Sequence, residues 1–168
     1  SLTQVIDLDV FMWMEMSAIL IKSIDYVNLK LVKDKTLQMN LCKIDDHHSA
    51  IELLRAEIGS RDRETFGVLC LDSKGYPTNF SIAHVGTLNQ TLISNREIFK
   101  VAVKSNASSI IVAHNHPSGD VTPSEQDIEN TRLIVKAGEL LGINLLDHII
   151  VSEKKGKSIR SLYPQVFE

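Results

Sequence analysis

Residues 110–127 read Ile110-Ile111-Val112-Ala113-His114-Asn115-His116-Pro117-Ser118-Gly119-Asp120-Val121-Thr122-Pro123-Ser124-Glu125-Gln126-Asp127. The unbroken apolar run at the start predicts a short strand buried on both faces. It leads straight into His114. Pro117 has no N–H with which to continue a ladder, so the strand stops there. Gly119 permits a sharp turn. Ser124 then opens a helix that runs to about Leu141, with Gly142 as its stop.

The two histidines stand at i and i+2 of an extended backbone. They therefore face the same way, about 6.6 Å apart along the chain. Two imidazoles on one face can converge on a metal, with Zn–N bonds of about 2.0–2.1 Å. Asp127 falls in the first turn of the following helix, and the compact loop between can bring it back as a third ligand. Two histidines and one carboxylate leave a fourth position open for water, the pattern of a catalytic zinc site. Hydrolysis also needs a base and a donor for the oxyanion. Ser124 offers a hydroxyl one helical turn before Asp127, although its spacing is equally that of a helix cap. Glu64 is the candidate base, because it sits just before the apolar strand Phe66–Leu71. Its other reading is a surface acid beside Arg61 and Arg63.

The polar neighbours have plainer readings as well. Asn115 points away from the metal by strand alternation and could hold a loop. Asp120 is a competing ligand, placed instead in a turn. Asp147 and His148 precede an apolar strand; they suit a satisfied buried hydrogen bond or a contact supporting the site. His47, His48 and His84 have no ligand spacing. Lys154, Lys155, Lys157 and Arg160 form a basic cluster around Gly156, either a solvated hairpin or a phosphate contact.

Moving outward, the chain divides into an N-terminal arm, residues 1–44, and a core, residues 45–168. In the arm, Phe11, Met14, Ala18 and Ile21 recur at helical spacing. Met12, Met16 and Ile19 widen that stripe, so the segment must bury against something; a homo-oligomer formed through residues 1–35 is one way. Leu37, Met39 and Leu41 alternate as a strand. In the core, Ser49 and Glu52 have capping-box spacing ahead of a helix that Gly59 stops. Strand Phe66–Leu71 leads through Asp72-Ser73-Lys74-Gly75 into a second strand with Phe80, Ile82 and Val85, antiparallel by hairpin logic. Ser94 and Glu97 form another capping-box pattern before Ile98, Phe99, Ala102 and Val103. Ile149-Ile150-Val151 begins a late strand. Alternating helices and apolar strands predict an α/β fold, a mixed sheet with helices on both faces.

Composition agrees with this picture. The chain has 168 residues, 43% hydrophobic and 23% charged, near the average of folded domains. Its net charge of −3 does not favour a generally basic nucleic-acid surface. Cys42 and Cys70 do not form a C-x-x-C pair, which excludes thiolate metal clusters and disulfide scaffolds. The apolar stretch Val10–Ile21 is short and broken by Glu15, unlike a membrane span, and Asp7 and Asp9 precede it where a signal peptide carries positive charge. The expected location is cytoplasmic.

His114-x-His116-Pro117 followed by Ser124-x-x-Asp127, with Glu64 upstream, resembles the metal motif of JAMM/MPN+ metalloproteases. The segments His114-Asn115-His116-Pro117-Ser118-Gly119 and Pro123-Ser124-Glu125-Gln126-Asp127 are closer still to the bacterial RadC family. Glu64-Thr65-Phe66, Gly86-Thr87 and Leu146-Asp147-His148-Ile149-Ile150-Val151 also resemble that family, in the same order, over residues 45–163. Residues 1–45 lack the Gly-rich hairpins with which full-length RadC proteins usually begin.

The resemblance implies a three-layer α/β/α sandwich of the cytidine-deaminase-like JAB/MPN type. It implies one Zn2+ ion with a bound water, held by His114, His116 and Asp127, with Glu64 as general base and Ser124 as oxyanion donor. The implied activity is hydrolysis of an amide or isopeptide bond in a peptide or protein. The alternative is a module associated with nucleic acid or DNA repair whose metal is structural or vestigial. A metal-free interaction scaffold ranks behind both.

Overall fold

The computed structural model describes residues 24–37, 43–44, 46–86 and 94–168. Contacts divide the chain into residues 1–30 and 31–168, and the fold concerns the second unit. The apolar helix expected within residues 10–21 lies outside the described residues, as do Met39, Leu41 and Thr87. Leu37 is described and carries no strand assignment, and the rest of the strand expected over residues 37–41 lies outside the described residues.

The first helix, α1, spans His47–Ile58. Its N-cap is Asp46, whose carboxylate accepts from the Ser49 N–H at 2.8 Å. This corrects the expected Ser49 cap: an Asp three residues before that N–H satisfies an orphan donor of the first turn, so the helix begins earlier. Strand β1 (Thr65–Leu71) is buried along its whole length. The Asp72 carboxylate accepts from Lys74 and Tyr76 N–H groups, and Gly75 takes φ +85, which turns the chain into β2 (Pro77–Val85).

Helix α2 (Asn95–Lys104) is capped by Ser94 as expected, but Glu97 reaches forward to Lys100 rather than back to the cap. Strand β3 (Ser109–Asn115) and helix α3 (Glu125–Leu141) follow. Gly142 ends α3 at φ +68, a left-handed residue that favours glycine. Strand β4 (Asn144–Val151) starts well before Ile149, so Ile149–Val151 closes a strand instead of opening one. The reason is that Asp147 and His148, which look like loop residues, are buried within it. β5 (Gly156–Ser158) and α4 (Ile159–Leu162) complete the core.

The strands form one mixed sheet in the order β2-β1-β3-β4-β5. β1 is antiparallel to both β2 and β3, β3 is parallel to β4, and β5 returns antiparallel to β4. On one face α1 buries Ala50, Leu54 and Ile58 against Leu69, Ile111, Ala113 and Ile149. On the other, Ile98, Phe99 and Ala102 of α2 and Ile134 of α3 pack on Phe66, Val68, Ile110 and Val112. This is the three-layer α/β/α arrangement expected.

Two features of the sheet position the site. Antiparallel pairing sets Phe66 opposite His114, so the start of β1, preceded by Glu64, lies beside the end of β3. In β4, Ile110 pairs with Leu145 but Ile111 pairs with Asp147, so Leu146 is an extra residue in the ladder. Such a bulge shifts the strand's phase. It turns Asp147 toward the α1 face and His148 toward the α3 face.

Candidate metal centre

The end of β3, the loop 116–123 and the first turn of α3 bring His114, His116 and Asp127 together. Each offers a ligand atom, and these atoms lie within 4.8 Å of one another. The His114 and His116 Nε2 atoms are 2.9 Å apart. Asp127 Oδ1 is 3.2 Å from His114 Nε2, and Oδ2 is 3.9 Å from His116 Nε2. His114 is buried and stacks on Phe66, with ring centroids 6.1 Å apart and planes within 9°.

The hydrogen bonds behind each ring determine what the facing nitrogens carry. His116 Nδ1 is 2.6 Å from the Asp120 carbonyl oxygen, which can only accept. Nδ1 therefore bears the proton, and in the neutral ring Nε2 bears a lone pair. Gly119, at φ +86, shapes the turn that delivers this carbonyl. His114 Nδ1 contacts His148 Nε2 at 2.9 Å. Burial, and then the neighbouring His114, hold the His148 imidazole well below its ordinary pKa, so it is neutral.

With neutral rings that carry their protons on Nδ1, two nitrogen lone pairs and a carboxylate face one small space. Three acceptors at such distances repel one another unless a cation lies between them. In a tetrahedral zinc site two nitrogens at about 2.0–2.1 Å from the ion stand roughly 3.3 Å apart, close to what the two rings offer. The donor set thus fits a divalent metal, and two imidazoles with one carboxylate suit zinc.

Asp127 is held from both sides. Ser124 caps α3 in a true capping box: the Asp127 N–H donates to Ser124 Oγ at 3.1 Å, and the Ser124 N–H donates to Asp127 Oδ2 at 2.8 Å. The Ser124 hydroxyl itself donates to Oδ2 at 2.6 Å. Burial favours the neutral acid, but the hydrogen bond and charge that His114 supplies when its ring is protonated, together with the two Ser124 donors, outweigh it and hold the carboxyl well below the usual range. Ser124 is therefore a cap and a carboxylate partner here.

A cleft of about 740 Å³ opens over the donors. Glu64 lines it together with Arg63, His116, Ser124, Asp127 and Asn130. Asn115 lies on the opposite face of β3 from His114. Its Oδ1 accepts from the Thr65 N–H at 2.7 Å and its Nδ2 donates to the Arg61 carbonyl at 2.9 Å. It clips the segment that carries Glu64 to the strand that carries the histidines. Asp120 contributes its backbone oxygen, and its exposed carboxylate accepts from the Thr122 N–H, so its place is in the loop.

Sequence reasoning weighed His148 without assigning it a partner and passed over Thr131. Thr131 follows Asp127 by one helical turn on the same buried face of α3, and that spacing was the available signal. Of the basic cluster, Arg160 donates to the Leu145 and Leu146 carbonyls and lies over the Phe167 ring.

The family model of the RadC-like JAB domain matches residues 44–163. A UPF0758 protein of Finegoldia magna is 45% identical over 122 residues, 73% of this chain and 55% of the relative. One from Syntrophomonas wolfei is 41% identical over 137 residues, 81% of this chain and 58% of the relative. One from Staphylococcus epidermidis is 46% identical over 107 residues, covering 64% and 47%. The chain spans about half the length of these relatives.

Proposed function

The chain belongs to the family of RadC-like JAB domains, and on that premise we propose that it is a metal-dependent hydrolase of amide or isopeptide bonds. The observation that carries this reading is the convergence of His114 Nε2, His116 Nε2 and the Asp127 carboxylate on the floor of a cleft that Glu64 also lines. One divalent ion held by these three residues, zinc by the chemistry of the set, would supply a Lewis acid that acidifies water and polarises a carbonyl.

The remaining work falls to the chain's own groups. Glu64 accepts the proton of the attacking water and delivers it to the leaving amine as the C–N bond breaks. Asn115 fixes the segment on which Glu64 stands. Ser124 can turn its hydroxyl to an oxyanion only by giving up its bond to Asp127 Oδ2, so its share in transition-state stabilisation is secondary to its hold on Asp127. The substrate is a peptide or protein, laid across a cleft open to solvent.

The test is to incubate metal-stripped and zinc-reconstituted chain with a peptide library that includes Lys-linked isopeptides, and to read products by mass spectrometry. Cleavage that depends on zinc supports the proposal. Equal product, or none, in both samples overturns it.

A further inference from the structure

His148 is buried behind the metal donors and touches none of the cleft. Its two ring nitrogens have different neighbours. Nε2 meets His114 Nδ1 at 2.9 Å, and Nδ1 meets Thr131 Oγ1 at 2.8 Å. Thr131 Oγ1 also lies 2.6 Å from the Asp127 carbonyl oxygen. That carbonyl cannot donate, so the single hydroxyl proton of Thr131 points at it. The hydroxyl then faces His148 with a lone pair, and His148 Nδ1 must be the donor. The ring is fully enclosed and its two partners are a hydroxyl and another imidazole, neither of them a carboxylate, so the neutral form fits the position and Nε2 carries a lone pair. His114 Nδ1 must therefore donate to it, which leaves the His114 Nε2 lone pair aimed at the metal space.

We infer that Thr131 and His148 form a relay that fixes the tautomer of His114, running from the Asp127 backbone carbonyl through the Thr131 hydroxyl and the His148 ring. Both are positioning residues. The relay starts and ends on proposed metal ligands: Asp127 supplies the acceptor that orients Thr131, and His114 receives the consequence. It also ties α3, β4 and β3 together at the level of the site. The inference rests on the metal-site reading only for its purpose, since the chain of hydrogen bonds is independent of any ion. Imidazole ligands elsewhere are oriented by an acceptor on their second nitrogen, usually a carboxylate or carbonyl, and losing it weakens metal binding about 10–100-fold. Here a neutral histidine takes that part, and it can do so only if a third group sets its own tautomer.

The experiment is a long-range 1H–15N NMR spectrum of the histidine rings in the metal-free full chain, at a pH where the imidazoles are neutral. It is paired with zinc affinity measured by competition against a chromophoric chelator. The expected result is a proton on Nδ1 of both His148 and His114. Thr131→Val should mix the His148 tautomers and weaken zinc binding about 10-fold or more, and Thr131→Ser, which keeps the hydroxyl, should restore both. A His148 proton on Nε2 in the unaltered chain overturns the relay, and that reading needs no variant to fold. Unchanged zinc affinity in a folded Thr131→Val chain overturns it too. A chain that keeps the expected His148 proton yet takes up no zinc supports the relay and contradicts the hydrolase reading.

Discussion

Asp147 and His148 are neighbours on β4, both polar and both buried, and they do opposite things. Asp147 faces the α1 side, where its carboxylate accepts from the His148 and Arg160 N–H groups and from the Ser158 hydroxyl. Every partner is a donor and the set closes on itself. It fastens β5 and α4 to β4. His148 faces the α3 side, and its hydrogen-bond chain does not close: it ends at nitrogen and oxygen lone pairs that face one another across the His114–His116–Asp127 space. A buried polar group that is saturated by its neighbours serves the fold. One whose chain ends on facing acceptors calls for a cation from outside.

That contrast predicts where substitutions act. The largest effect is on turnover: Glu64→Gln should reduce the zinc-dependent rate by about 10²–10⁴-fold while zinc affinity stays within a factor of two or so. A rate that survives the change removes Glu64 from the chemistry. Next comes Asp147→Leu, which leaves two backbone N–H groups and a hydroxyl without their acceptor, each worth about 1–3 kcal/mol. Urea unfolding should show the loss, whereas Asp147→Asn, which keeps an acceptor oxygen, should be much milder. Asp147→Leu chain that loses zinc affinity while fully folded would blur the distinction between the two faces.

A smaller effect is set by pH. The Asp127 carboxyl is held below its ordinary value in the folded chain. Its contribution to stability is therefore full above the unfolded value, near 3.9, and is lost as pH falls below that value toward the folded one. Denaturant titrations of metal-free chain between pH 5 and 2 should show this decline, and Asp127→Asn should flatten it. The smallest is local: Asp46→Ala should lower the urea midpoint slightly through the lost cap of α1, with no change in zinc binding.

Much of this was legible in the sequence, for reasons that differ by residue. The Ile110–Ala113 run and the Pro117, Gly119 and Pro123 punctuation give the strand, loop and helix that bring His114, His116 and Asp127 together. Strand alternation gives the placement of Asn115 on the face away from the donors. The pairing of β1 with β3, which brings Glu64 to the cleft, is a long-range choice that no local pattern carries. The bulge at Leu146 is hidden for the same reason, because an extra residue is visible only against a partner strand. Without it Asp147 and His148 would exchange faces, so their separate roles could not be read from their order. Ser49 misled because Asp46, three residues earlier, is also a strong cap and the helix uses the earlier one.

The central claim is that three inward-facing donors hold one ion. Isothermal titration of zinc into the metal-stripped full chain tests it most directly. Uptake of one ion per chain, abolished in Asp127→Ala and in His116→Ala, is the predicted result. No uptake, or uptake that survives both substitutions, would contradict it.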